Sequence, residues 1–316
     1  MKSVILDVDT GIDDALAIAY AIHSPELNVL GITTGFGNVS AEEATRNTLQ
    51  VLQLLERADI PVFQGAERPF RRESTRHRAY EVHGEDGLGN IQLPPPEPFS
   101  PGQHASDFII SMVKKHPNEI TLITVGTQTN LALAVEKDPS ITGLVNEVVI
   151  MGGAVTVPGN VTPAAEANFY ADAEGADFVL NSGLPITLVG LDVTMKTLLL
   201  RETLAEWRGC GLKTAEIFAD MCSFYMDFYE RKNPGLGGCA LHDPLAVGVA
   251  VDPTFISTKP MNVRVSTEQE KLGQSRGVET DQGISVGIEV DAERFRTHFL
   301  NRILPASRKG NLHAGH

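Results

Sequence analysis

The sequence predicts an α/β protein built on an open, mostly parallel sheet with helices on both faces. Apolar runs rich in β-branched residues alternate with helix-patterned stretches from the first residues onward, which is the order of βαβα units and hence of a parallel sheet covered on each side. The chain has 316 residues, 42% hydrophobic and 21% charged, enough to bury a large core. No internal repeat and no Gly/Ser-rich linker divides it, so one domain over residues 1–304 is expected, with a disordered tail at 305–316.

Taken in order, residues 3–9 read as a strand, 13–23 as a helix, 29–34 as a strand and 40–57 as a second helix. That second helix carries its own start signal, because Ser40 is followed three residues later by Glu43 in a capping box, so its cap needs nothing from Asn38. Further strands are expected at 61–63, 121–125, 147–151, 186–190, 262–266 and 285–290, with helices between most of them and a last helix over 291–303. Two stretches resist the pattern. Residues 68–102 hold Arg71, Arg72, Arg76 and Arg78, a turn-rich run from His83 to Gly89, and Pro94-Pro95-Pro96. A helical stretch over 214–231 runs into the Gly-rich 233–238, just ahead of His242-Asp243-Pro244. Loops of this length inside a compact domain are usually functional, and both stretches are expected to form a mobile rim over a site.

Composition excludes several classes of function. With 26 Lys and Arg against 40 Asp and Glu, the formal charge is -14, which disfavours a nucleic-acid partner chosen by phosphate neutralisation. Cys210, Cys222 and Cys239 form no CxxC pair, giving neither a zinc ribbon nor a disulfide framework and fitting a reducing compartment. Carboxylates interrupt the N-terminal apolar stretch at Asp7, and no later apolar run is long enough for a bilayer. No signal peptide or membrane anchor is read, and a cytoplasmic location is expected.

The strongest chemical signal is Asp7-Val8-Asp9-Thr10-Gly11-Ile12-Asp13-Asp14, with four carboxylates in eight residues at a strand-to-helix junction. Ligands of open α/β sheets bind beyond the carboxyl ends of strands, and this cluster stands there. Asp7 and Asp9 share a strand face, while Asp13 and Asp14 follow a Gly-bearing turn that can fold back toward them. Charges packed this closely require protonation or a cation. Helix capping by Asp13 and a favourable dipole position for Asp14 account for two of the four, but leave Asp7 and Asp9 unexplained. At His242-Asp243-Pro244 an ordinary helix start, with Asp243 as cap and Pro244 in the first turn, is a sufficient account on its own. Met151-Gly152-Gly153 ends another strand and is followed by Asn160, Glu166 and Asn168, amide and carboxylate groups that suit a polyhydroxylated ligand.

These groups, with Val125-Gly126-Thr127-Gln128-Thr129-Asn130 at a further strand end, resemble the nucleoside hydrolase family of calcium-dependent N-ribohydrolases, in the family's order from Asp7 to Asp243. The resemblance implies hydrolysis of the N-glycosidic bond of ribonucleosides to ribose and free base by a calcium-bound water. Asp9, Asp14 and Asp243 would ligate Ca²⁺, with the backbone carbonyl of Val125; the family commonly has Thr there, and a carbonyl ligand is indifferent to that change. Asp9 matches the general base, and Asp7 looks supportive. Asp13, Asn38, Asn160, Glu166 and Asn168 match ribose-holding positions, where a negative lining favours oxocarbenium character and repels phosphate, pointing to nucleosides rather than nucleotides. His242 matches the general acid for the leaving base, and His83 a histidine of pyrimidine-preferring members. Tyr225 and Tyr229 are candidate contacts in the base pocket, against the ordinary reading of helical tyrosines as packing; Trp207 is read as packing.

The expected substrates are uridine and cytidine, with an inosine-preferring or broad enzyme as the alternative, because Ala167 stands where many members have Phe. The family resemblance also implies a homodimer or homotetramer. A haloacid-dehalogenase-type phosphatase also begins with a DxD strand, but its Thr follows the Gly, whereas here Thr10 precedes Gly11, and Asp13-Asp14 would have no role. A nucleoside sensor without turnover is a further alternative, opposed by a competent residue at every metal and acid–base position.

Overall fold

The computed structural model describes residues 1–73, 79–97 and 102–304; Arg76, Arg78 and the expected tail at 305–316 lie outside the described residues. The chain opens with β1 (Lys2–Val8), α1 (Ile12–Ile22), β2 (Leu27–Thr34), α2 (Ala41–Leu54) and β3 (Val62–Gln64). After the short α3 (Tyr80–His83) come α4 (Ala105–Lys115), β4 (Ile120–Thr124), α5 (Thr129–Lys137) and β5 (Glu147–Met151). Then follow α6 (Ala167–Ala171), α7 (Ala173–Leu180), β6 (Ile186–Val189), α8 (Leu191–Thr194), β7 (Leu198–Leu200), α9 (Arg201–Gly209) and α10 (Lys213–Lys232). The chain continues with β8 (Gly238–Ala240), α11 (His242–Val251), β9 (Ile256–Val265), β10 (Ser275–Glu279), β11 (Ile284–Val290) and α12 (Ala292–Arg302).

Nine strands form one sheet in the order β10-β9-β11-β6-β5-β4-β1-β2-β3. From β11 to β3 all pairings are parallel, and β9 joins β11 and β10 antiparallel. Strand β1 shows why: Val4, Leu6 and Val8 pack into the core on one face, and Ile5 into the core on the other. A strand buried on both faces needs helices on both, and parallel pairing leaves room for the crossovers. Each such fully buried aliphatic side chain contributes roughly 1.5–3 kcal/mol of transfer free energy. The chain winds outward from β1 through β2 to β3, then returns to place β4 on the other flank of β1. The crevice where the winding reverses lies at the carboxyl ends of β1 and β4, the usual ligand position in such sheets.

Local signals place the helices. Ser40 and Glu43 form the expected reciprocal cap of α2. Two other starts differ from the ordinary account of their sequence. Gly11, not Asp13, is the N-cap of α1, and its N–H donates to the Asp14 carboxylate at 2.8 Å. Leu241 caps α11, so Asp243 and Pro244 both lie inside its first turn. Asp172 caps α7, and the short α6 ahead of it is capped by Glu166.

Strand β9 runs through Pro260, where the sequence reading began it only at 262; Pro260 pairs with Ser285, and its carbonyl accepts from Thr280 N–H at 3.1 Å. A proline near the sheet edge costs only its missing donor. The pair β7–β8 was not anticipated, being three residues long on each side, nor was the largely exposed β10. Trp207 is buried in the core, as expected. Among the described residues no helix is long and apolar enough to cross a membrane.

Candidate active site

Each strand ending at the switch point delivers part of one cleft of about 570 Å³. Asp9 follows β1, Gly37 and Asn38 follow β2, Val125 follows β4, Met151 ends β5, and the segment after β6 brings Leu191 and Asp192. All the sequence-selected positions except Asp14 and the supportive Asp7 line this cleft: Asp9, Asp13, Asn38, His83, Val125, Asn160, Glu166, Asn168, Tyr225, Tyr229, His242 and Asp243. Asp14 is fully buried just behind, on α1.

The floor is acidic. Oxygens of Asp13, Asp14 and Asp243 lie within 4.8 Å of one another. Asp9 stands beside them: its Oδ2 accepts from Asn38 N–H at 2.7 Å, and its backbone N–H donates to Asp14 Oδ1 at 3.1 Å. The tightest group therefore holds Asp13 where the expected ligand set holds Asp9. The side-chain amide of Asn38 also donates to Asp9 Oδ1 and Asp14 Oδ2, at 3.3 and 3.2 Å, so in this structure Asn38 orients the carboxylates directly. Asp7 sits one pleat below, accepting from Thr33 and from Asn130 Nδ2.

Burial, compounded by mutual repulsion, pushes Asp9 and Asp243 far above the ordinary carboxylate range and Asp13 to about 8. Burial likewise raises Asp14, and Asp7 to about 7. Among the described residues no Lys or Arg forms an ion pair with any of them. Asp13 Oδ1 is buried with no hydrogen-bond partner. Buried carboxylates without cations are costly. Hard oxygen donors within 4.8 Å of each other are spaced as ligands about 2.4 Å from one shared ion. The residues present therefore fit a divalent cation.

The side wall comes from the loop after β5. Glu166 accepts at Oε1 from Asn168 N–H and at Oε2 from Gly153 and Phe169 N–H, so it holds the loop as well as facing the cleft. Asn168 Nδ2 donates to the Val125 carbonyl at 2.7 Å. Asn160 Oδ1 accepts from Ala167 N–H at 3.1 Å. Phe169 does not replace the aromatic wall missing at Ala167; it is fully buried against Gly152 and Gly153.

Opposite stands a wall of histidine and tyrosine. His242 Nε2 lies 2.6 Å from Tyr229 Oη, and its Nδ1 2.7 Å from Thr194 Oγ1. His83 Nδ1 accepts the Ile12 N–H at 3.1 Å, and its ring stacks on Tyr225 at 5.4 Å. The two tyrosines are buried and line the cleft, so their helical spacing serves the site as well as packing. Burial pushes His242 down to about 4 and His83 to about 3. Sequence reasoning also missed Lys196 and Lys232, exposed residues that line the cleft although no motif contains a lysine, and Asp192 and Thr194. The position of Leu191-Asp192-Val193-Thr194 just past a strand end was the available signal.

An acidic, cation-hungry floor and a polar wall at the switch point of a parallel sheet define an enzyme for a polyhydroxylated small molecule. The family model for inosine-uridine preferring nucleoside hydrolases matches residues 4–297. Uridine nucleosidase 1 of Arabidopsis thaliana is 41% identical over 90% of this chain and 83% of its own length. A pyrimidine-specific ribonucleoside hydrolase of Escherichia coli is 38% identical over 95% of this chain and 97% of its own. The structure of a purine-preferring ribonucleoside hydrolase from Gardnerella vaginalis superimposes with a TM-score of 0.92 at 40% identity, covering 96% of this chain and 98% of that one. The chain belongs to the inosine-uridine preferring nucleoside hydrolase family. It is a ribonucleoside hydrolase of a metal-dependent family, and its cluster of aspartates is in place.

Proposed function

We propose that residues 1–304 act as one domain that hydrolyses uridine and cytidine in preference to inosine, with Ca²⁺ as the metal. The observation that carries this reading is that the acidic floor and the His83–Tyr225–Tyr229–His242 wall line one cleft, Tyr225 Oη reaching Asp13 Oδ2 at 3.5 Å. The names of the Arabidopsis and Escherichia coli relatives support the pyrimidine preference. Asp14, Asp243, Asp9 and the Val125 carbonyl would hold the ion, with Asp13 turned to the sugar. When bound, Ca²⁺ would neutralise the carboxylate repulsion and polarise the attacking water and the sugar hydroxyls.

Asp9, steadied by Asn38, takes the proton from that water. Asp13, Asn38, Asn160, Glu166 and Asn168 orient the ribose and favour positive charge on it as the N-glycosidic bond breaks. Both ring nitrogens of His242 are engaged and burial keeps the ring neutral, so His242 holds the Tyr229 hydroxyl in place and that hydroxyl donates a hydrogen bond to the charge developing on the leaving base. His83, with Nδ1 accepting from Ile12, carries its proton on Nε2 and offers it to a base oxygen.

A second reading, a purine-preferring or broad enzyme, is favoured by the small Ala167 in the lining and by the name of the Gardnerella relative. A reducing-sugar assay with calcium over uridine, cytidine, inosine and deoxyuridine separates the two. Pyrimidine ribonucleosides should head the series, and loss of the preference in His83→Ala is expected. Inosine leading would establish the second reading, and equal kcat/KM for uridine and deoxyuridine would remove the ribose assignments. On the family resemblance we further read the enzyme as a cytoplasmic homodimer or homotetramer, to be measured by light scattering.

A further inference from the structure

Four consecutive backbone N–H groups at the start of the loop after β5 each donate to a side chain from elsewhere. Gly153, whose φ of 75° turns the chain, donates to Glu166 Oε2 at 2.9 Å. Ala154 donates to Ser275 Oγ at 2.8 Å. Val155 donates to Asp192 Oδ2 at 3.0 Å, and Thr156 to Asp192 Oδ1 at 2.7 Å, with the Thr156 hydroxyl on the same oxygen at 2.6 Å. Asp192 is 2% exposed and, among the described residues, forms no ion pair. Its charge is met by these three donors, and charge-assisted bonds of this kind are the strong ones. Leu191 N–H donates to the Gly153 carbonyl at 2.9 Å, fastening α8 to the same segment. Farther along, Ala165 bridges Gln274, the neighbour of Ser275.

We propose that Asp192 is a positioning residue for the sugar: with Ser275, it sets the path of the loop that carries Asn160, Glu166 and Asn168 into the cleft. The proposal rests on the reading of that cleft as a ribonucleoside site. Without the Asp192 carboxylate, two N–H groups and a hydroxyl at the loop's entry lose their acceptor, and residues 157–161 shift away from the acidic floor. Asp9, Asp14 and Asp243 stand past the end of β1, on α1 and on α11, outside this loop, so calcium affinity should hold; of the proposed ligands only the Val125 carbonyl touches it, through Asn168 Nδ2. The antiparallel strand β10, remote in sequence from every site motif, gains a role in substrate binding through Ser275.

The test compares Asp192→Ala, Ser275→Ala and Ser275→Thr in the full-length enzyme. Substrates are uridine, deoxyuridine and p-nitrophenyl riboside, with calcium titration and amide hydrogen exchange alongside. For Asp192→Ala, kcat/KM should fall about ten- to a hundredfold, mainly through KM and equally for uridine and p-nitrophenyl riboside. The preference for ribose over deoxyribose should shrink, the amides of residues 155 and 156 should exchange faster, and calcium affinity should hold. Ser275→Ala should move the same quantities by less, and Ser275→Thr should restore them. A folded Asp192→Ala enzyme with wild-type KM and wild-type ribose preference overturns the proposal, as does a loss confined to kcat on uridine alone. Should Asp192→Ala fail to fold, the Ser275 pair and Thr156→Val, which removes only the hydroxyl, make the same comparison. Wild-type protein inert toward every ribonucleoside would refute the function itself, and the exchange of residues 155 and 156 would still decide whether Asp192 holds the loop.

Discussion

Gly37→Ala tests the placement of Asp9 without touching Asp9. The Asp9 carboxylate occupies a slot between Gly37 and Gly126. A Cβ on Gly37 would stand 1.8 Å from Asp9 Oδ2 and 2.7 Å from its Cγ. Gly37 is not among the left-handed glycines, so alanine meets no backbone strain there. Since real Cβ contacts stay beyond 3.0 Å, the carboxylate must retreat by about 1.2 Å, away from the Asn38 N–H that now holds it at 2.7 Å. A misplacement of about 1 Å costs about a hundredfold in rate, or about 2.7 kcal/mol of barrier. Overpacking should cost about 1–3 kcal/mol in stability, leaving a folded enzyme with a lowered melting temperature. The assay is kcat for uridine at saturating calcium, beside Gly126→Ala, whose Cβ would lie 3.0 Å from Asp9 Oδ1 and so displace it less. Gly143→Ala, with nothing within 4 Å, serves as control. The expected order of loss is Gly37, then Gly126, then none. A folded Gly37→Ala enzyme turning over as fast as wild type would mean that the position of Asp9 does not limit the reaction.

Three further predictions concern the metal, the division of labour among the aspartates, and the leaving base. In chelated enzyme the folded pKa values of Asp7 and Asp13, about 7 and about 8, exceed the ordinary 3.8, so the folded state binds more protons than the unfolded one. That stability is complete below 3.8 and is lost as pH rises through 7 to 8, so thermal melting of metal-free protein should fall between about pH 5 and about pH 8, and calcium should raise it most at the alkaline end; a calcium effect independent of pH would contradict the carboxylate site. Asp14→Ala should abolish calcium binding by calorimetry, whereas Asp13→Ala should retain calcium but lose the ribose preference, and the reverse pattern would exchange their roles. His242→Ala and Tyr229→Phe should each lower kcat on uridine by about a hundred- to a thousandfold while sparing p-nitrophenyl riboside, whose leaving group needs no such help; equal damage on both substrates would remove the hydrogen-bonding role.

The sheet was legible because its signals are local and repeated. An apolar stretch such as Val4-Ile5-Leu6 must be covered on both sides, and Ser40 with Glu43 closes a helix end within three residues. What escaped reading was set by partners far along the chain. Strand β10 exists because β9 lies beside it, not because Ser275–Glu279 is apolar, and β9 extends past Pro260 because its neighbours supply the remaining bonds. The ordinary account of Asp13 as a helix cap does not hold: Gly11 is the N-cap, and its N–H donates to the Asp14 carboxylate.

The same division runs through the site. The cluster from Asp7 to Asp14 stood out because four carboxylates at one strand end have no cheap structural explanation, whereas Asp243 came only with the family resemblance. Nothing local tells His83 that its Nδ1 will accept from Ile12, or tells Thr194 that it will face His242; these contacts span 71 and 48 residues. Asp192 shows the limit most plainly. Read in sequence it is one more acidic residue after a strand, and the carboxylate acquires its meaning only when Val155 and Thr156 turn their N–H groups toward it. Charged residues that bind the substrate cluster in sequence because strand ends cluster them, whereas those that shape the binding loops are scattered, since a loop is held by whatever elements it passes. Mutagenesis guided by motifs alone would therefore find the residues that meet metal and sugar and miss those, such as Asp192, that hold the binding loop.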